Sequence, residues 1–209
     1  MTGLSARAAR LALVAAGITL LSLASLHLLS PEFDPSLRAV SEYANGRHGW
    51  MLTLMFASWA LSSWALVPTL RPFVKPAPAR IGLGFLVAAG AGEAMACLFD
   101  INHPLHGLAG LIGVLSLPVA AMLITVCFSR SPEWSGARHA LLWTANATWA
   151  SLTLLILVLA VDLWRAGGRV TRDSFVFVGW ADRLMIVAYC AWQAVIAAEA
   201  LHRIPNASP

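Results

Sequence analysis

Leu105-His-Gly-Leu-Ala-Gly-Leu-Ile-Gly-Val-Leu-Ser-Leu-Pro-Val-Ala-Ala-Met-Leu-Ile-Thr-Val-Cys-Phe128 runs for 24 residues without an aspartate, glutamate, lysine or arginine. At about 1.5 Å rise per residue, a helix of that length exceeds the roughly 30 Å hydrocarbon core of a bilayer. A run this long, with Gly and Pro inside it, reads as a membrane-spanning helix rather than the core of a soluble domain. Backbone groups surrounded by lipid find no water, so they must bond within the segment.

Working outward, five further apolar segments have similar length: Ala8 to Leu29, Gly49 to Leu70, Ile81 to Phe99, Ala140 to Val161 and Phe175 to Ala198. Hydrophobic residues make up 59% of the 209-residue chain and charged residues 11%, against about 25% charged in an ordinary soluble domain. Mean hydropathy is +0.73. The expected fold is therefore all-α, one domain over residues 1–209, a polytopic bundle of six helices. Met1 to Arg10 followed by Leu11 to Leu26 resembles a signal peptide. The apolar run is longer than a signal core and lacks a small-residue cleavage site, so it is read as helix 1.

Lys and Arg set the orientation. Arg7, Arg10, Arg71, Lys75, Arg80, Arg130, Arg138 and Arg203 give eight on the side of the termini. Arg38, Arg47, Arg165, Arg169 and Arg172 give five on the other, with Arg183 just inside helix 6. Both termini are expected in the cytoplasm. Trp50, Trp164 and Trp180 toward one face, and Trp64, Trp134 and Trp143 toward the other, read as interfacial belts. The basic residues form no stripe with interleaved aromatics, which argues against nucleic acid as a partner. Cys97, Cys127 and Cys190 lie in apolar runs without paired spacing and read as packing residues.

Small residues mark the closest helix approach. Ala88, Gly92 and Ala96 lie four apart on helix 3, and Gly107, Gly110 and Gly113 three apart on helix 4, which predicts a tight hairpin of these two helices. Pro118 is expected to kink helix 4. The one long irregular connection, Ser30 to His48, carries Pro31, Pro35, Asn45 and Gly46.

Ionisable groups at membrane depth are costly and face the bundle interior. Here they gather at the outer end: His27, Asp34, Glu42, His48, Glu93, Asp100, His103, His106, Asp173, Asp182 and Arg183 among them. Glu93 and Asp100 share one face of helix 3, and a bridge from either to Arg183 is the expected pairing. Asp100, His103 and His106, spaced by three, are candidate metal ligands. His27, His48 and His106 are candidate axial ligands for a haem. Ser41 with a histidine and a carboxylate draws the outline of a hydrolase triad, without the glycine pattern of a nucleophile elbow. Asp34, Ser41, Glu42, Glu93 and Arg183 are candidate binding residues, and Asp100, His106 and Arg183 candidate catalytic ones.

Four segments carry a resemblance. Ser30-Pro-Glu-Phe-Asp-Pro35, Ser41-Glu-Tyr-Ala-Asn-Gly46 leading to Gly49-Trp50, Leu98-Phe-Asp100 before His106-Gly107, and Gly179-Trp-Ala-Asp-Arg183 together resemble the bacterial integral-membrane family catalogued as domain of unknown function 998. The short turn between helices 3 and 4 departs from that pattern. The resemblance implies six helices, a bacterial inner-membrane location and motif positions at Asp34, Ser41, Glu42, Asp100, His106 and Arg183. It carries over no activity and no cofactor. Three expectations follow from the sequence. The first is an accessory or structural membrane component, with lipids and another membrane subunit as partners. The second is an outer-leaflet enzyme acting on an anionic lipid or phosphate-bearing substrate. The third is a small transporter or a haem- or metal-binding membrane protein.

Overall fold

The computed structural model describes residues 2–167 and 177–204. Asp173, Arg169, Arg172 and the first residues expected in helix 6 lie outside them. The described residues form six long helices: α1 (Thr2–Leu29), α2 (Gly49–Leu70), α3 (Ala77–Leu98), α4 (His106–Ser129), α5 (Arg138–Arg165) and α6 (Val178–Arg203). All six are long and apolar enough to cross a membrane. Short 3₁₀ turns at Val40–Asn45 and Pro132–Ala137 lie in the connections.

Each helix packs on its chain neighbour, and α1 meets α6 to close the ring, with α2 also touching α6. The start of α1, the end of α6 and the 3₁₀ turn at Pro132–Ala137 lie at one end of the bundle. The 30–48 loop and the α3–α4 turn lie at the other.

The apolar segments found the helices, and the ends differ for local reasons. The third helix begins four residues before Ile81 because Pro78 sits in its first turn, where a missing N–H costs nothing. The last helix continues past Ala198, and Glu199 pairs with Arg203 one turn on.

Small residues bring α3 and α4 together at Gly92. A Cβ there would collide with the backbone of Gly113 and Ala109. Gly107 and Gly110, expected in the same contact, face open space. Only Gly113 of the three lines the seam.

Prolines leave carbonyls without donors, and side chains of other helices supply them. Pro118 cannot bond to Val114 O, and the Tyr189 hydroxyl of α6 donates to that oxygen at 2.7 Å. Pro72 lacks the N–H that would reach Pro68 O. Ser5 Oγ of α1 takes its place at 3.0 Å.

Trp50, Trp64, Trp143, Trp164 and Trp180 are exposed. Trp134 is not a belt residue. It is buried, stacked on Phe128 with ring centroids 4.2 Å apart, and covered by the Arg203 guanidinium.

Gly92→Val is expected to lower stability by about 2 kcal/mol through overpacking of the α3–α4 seam. Gly110→Ala, with nothing within 4 Å of its added carbon, should be near neutral. Thermal unfolding of both variants in detergent tests the difference.

Candidate functional site at the loop end of the bundle

Arg183 stands in the second turn of α6, 3% exposed, and a charge so placed must be surrounded by acceptors. Its Nε donates to His27 Nε2 at 2.6 Å. One terminal nitrogen donates to Arg38 O at 2.8 Å and to Gly179 O at 2.9 Å. The other donates to the Tyr43 hydroxyl at 3.0 Å. Neither Glu93 nor Asp100 is its partner, so the expected helix 3 to helix 6 bridge is corrected. The acceptors are two carbonyls, a phenol and an imidazole.

His27 is fixed by the same set. Its Nδ1 lies 2.6 Å from Leu23 O and accordingly carries the proton, which leaves Nε2 to accept from Arg183. Both ring nitrogens of His27, a candidate axial ligand by sequence, are engaged within the protein. Its ring stacks on Trp180 and meets Tyr43 edge-on.

The rest of the Gly179 to Arg183 motif faces the loop in the same way. A Cβ on Gly179 would strike the carbonyls of Pro35 and Arg38, so only glycine admits the loop here. Trp180 Nε1 donates to Ser36 Oγ at 3.0 Å. Asp182 accepts from Val40 N at 2.8 Å. Asp34 closes its own turn by accepting from Ser36 N, and Glu42 reaches back to Ala39 N and to Arg38. Ser41 is half-buried in the 3₁₀ turn. Two segments about 140 residues apart in the chain are thus each other's partners.

Asp100, His103 and His106 do not join this cluster as a ligand set. Asp100 accepts from Asn102 N, His103 Nδ1 from Leu105 N, and His106 Nδ1 lies 2.8 Å from Phe99 O. Each one braces the α3–α4 turn. Among the described residues no group of three or more His, Cys, Asp or Glu could hold a metal ion. The candidate ligands Asp100, His103 and His106 are not brought together as such a group. The turn also reaches the loop, where Asn102 donates to Asn45 at 2.9 Å.

Glu93 belongs to a separate cluster deeper in the bundle. Its Oε2 accepts from Ser63 Oγ at 2.7 Å, and Ser63 in turn accepts from Gln193 Nε2 at 2.7 Å. Gln193 carries no charge and sits in an apolar run, so a search for ionisable groups passes over it. Two cavities flank the ends of the molecule. One, of about 580 Å³, lies along α1 and α6 and is lined by Leu20, Leu23, His27, Trp180 and Arg183. Another, of about 640 Å³, lies at the chain-terminus end beside Phe73, Lys75, Trp134 and Arg203.

Residues 7–199 match the model of the family described as "Protein of unknown function (DUF998)". No curated protein and no solved structure matches the chain.

Gly179→Val should lift the loop from α6 and open the bond after Arg38 to trypsin, with the wild-type protein expected to resist cleavage there. Tyr43→Phe removes one bond and should cost about 1 kcal/mol. Arg183→Gln leaves several buried acceptors without donors and should cost about 3 kcal/mol. Digestion of reconstituted protein with mass analysis, beside thermal unfolding, reads all three.

Proposed function

The chain belongs to the DUF998 family, and on that footing we propose that it is an accessory or structural component of a bacterial inner membrane. Both termini lie in the cytoplasm in this reading, and the 30–48 loop is presented outside, where it meets another membrane subunit. The observation that carries it is the set of bonds that Arg183 makes within the protein. A substrate-orienting arginine needs N–H groups aimed at the substrate, and four of the five here are already directed at protein atoms. The candidate acid and base support the same reading, since Asp100 and His106 are both engaged with nearby backbone. A network that fixes helix register without chemistry is a known use of buried polar groups.

One observation favours a second reading, an outer-leaflet site for an anionic lipid or phosphate-bearing molecule. The groove between α1 and α6 is apolar along Leu20, Leu23 and Ala24 and ends at His27, Trp180 and Arg183. That gradient suits an acyl chain with its headgroup at the arginine, which has one N–H left to offer.

Thermal unfolding in nanodiscs of neutral and of anionic lipid separates the two readings. The structural role predicts the same loss for Arg183→Gln in both lipids. Specific anionic-lipid binding predicts a wild-type gain of about 2.7 kcal/mol at a hundredfold excess over the dissociation constant, absent in Arg183→Gln. Orientation is tested by single cysteines replacing Asp34 and Glu133, both exposed at opposite ends, in a background without native cysteines. An impermeant maleimide added to intact cells should label only the first.

A further inference from the structure

The cavity of about 640 Å³ at the chain-terminus end has the size of a small-ligand pocket, about 300 to 1,000 Å³. It lies between the α2–α3 connection, the end of α4, the 3₁₀ turn at Pro132–Ala137 and the end of α6. Phe73, Pro76 and Phe128 supply apolar wall, and Lys75, Glu133 and Arg203 supply charge. Arg203 is held in place by the protein alone. Its guanidinium carbon lies 4.5 Å from the Trp134 ring centroid, its Nε donates to Glu133 O at 2.8 Å, and Nη1 donates to Glu199 O and Oε2. Its Nη2 has no acceptor among the described residues. The side chains of Lys75 and Glu133 make no hydrogen bond or ion pair there either, with each other or with any described residue. Opposite charges that share one cavity without meeting leave room for a ligand that carries both signs.

We infer that this cavity binds the zwitterionic headgroup of a membrane phospholipid, with the phosphodiester at Arg203 Nη2 and Lys75 and the ammonium at Glu133. A guanidinium N–H and an ammonium are the usual partners of a phosphate, and a carboxylate accepts from a ligand ammonium. Charge balance selects the headgroup. Lys75 and Arg203 are matched by Glu133 and by Glu199, which pairs with Arg203. The site thus has no surplus positive charge for a phosphate dianion, and Glu133 left facing an anionic headgroup would stand unpaired. Exposed Arg71, Arg80, Arg130 and Arg138 make the surrounding surface basic and draw phosphates to this end, while Glu133 sets the charge at the cavity. A lipid is the source because the cavity sits where the apolar spans of α2, α3 and α4 end, with aromatic and proline wall beside the charges.

Native mass spectrometry of the full chain in detergent tests this, with phospholipids of identical acyl chains that carry ethanolamine, choline or glycerol headgroups. The ethanolamine lipid, which has ammonium N–H groups for Glu133, is expected to bind tightest. Lys75→Gln and Glu133→Gln should each weaken it by about tenfold. Thermal unfolding without lipid should be unchanged in both, since neither side chain has an internal partner. Glu133→Gln should at the same time gain affinity for the anionic glycerol lipid. Equal affinity of the wild type for the three headgroups, or ethanolamine-lipid binding unmoved by both substitutions, would overturn the assignment. Soluble glycerophosphoethanolamine as a competitor separates the two sources of this headgroup. Displacement of the lipid only at large excess is expected, and displacement at equal concentration refutes a lipid as the ligand.

Discussion

One guanidinium inside an apolar bundle sets the terms for the loop end of this protein. The positive charge of Arg183 cannot be left to lipid, and its hydrogen bonds go to neutral oxygens and one imidazole nitrogen, while the neighbouring Asp182 carboxyl acts on it through space. Those acceptors come from α1, from the 30–48 loop and from α6 itself. Satisfying the charge therefore means bringing three parts of the chain to one point. The loop is irregular because it must turn the carbonyl of Arg38 and the hydroxyl of Tyr43 inward while packing flat against Gly179.

The same accounting of donors and acceptors governs the interior. Lipid gives helices little hydrophobic reason to associate, so packing and hydrogen bonds must hold them. Pro118 and Pro72 each remove a donor, and Tyr189 and Ser5 each return one from a different helix. A helix irregularity is thereby turned into an interhelical bond. Thr125, which accepts from Trp192 at 3.0 Å, adds a further tie between α4 and α6.

The helices were legible in the sequence because hydropathy reports a length directly, and the seam at Gly92 was legible because small residues at fourfold spacing have few other uses. The partners of Arg183 were not. A sequence search looks for a carboxylate to match a cation, and backbone carbonyls have no letter of their own. That is why Glu93 and Asp100 drew the pairing, while His27, Tyr43 and the Arg38 carbonyl held it. The motif at Gly179 to Arg183 and the loop motifs were visible as separate strings, but only the fold shows that one is the receptor for the other. Gln193 was missed for the reason Glu93 was found, since charge was used as the marker of depth and an amide carries none. His106 was visible as a candidate ligand spaced three from His103, and its Nδ1 engages Phe99 O at the turn.

These contacts make α6 the polar spine of the bundle. Along its length Asp182 and Arg183 hold the loop, Tyr189 and Trp192 reach α4, and Gln193 reaches Ser63 on α2. A rotation or a one-residue slip of α6 would break all of these at once, so its register is fixed many times over. Thr144, Asn146, Thr148 and Ser151 all bond to carbonyls of α5 itself, and its apolar outer face, with Trp143, Leu157 and Trp164, is exposed. Side chains that turn back on their own helix specify nothing about a neighbour. Apolar packing against α4 and α6 adds to what seats α5. The register of the bundle is thus fixed first where α6 meets the loop, α2 and α4.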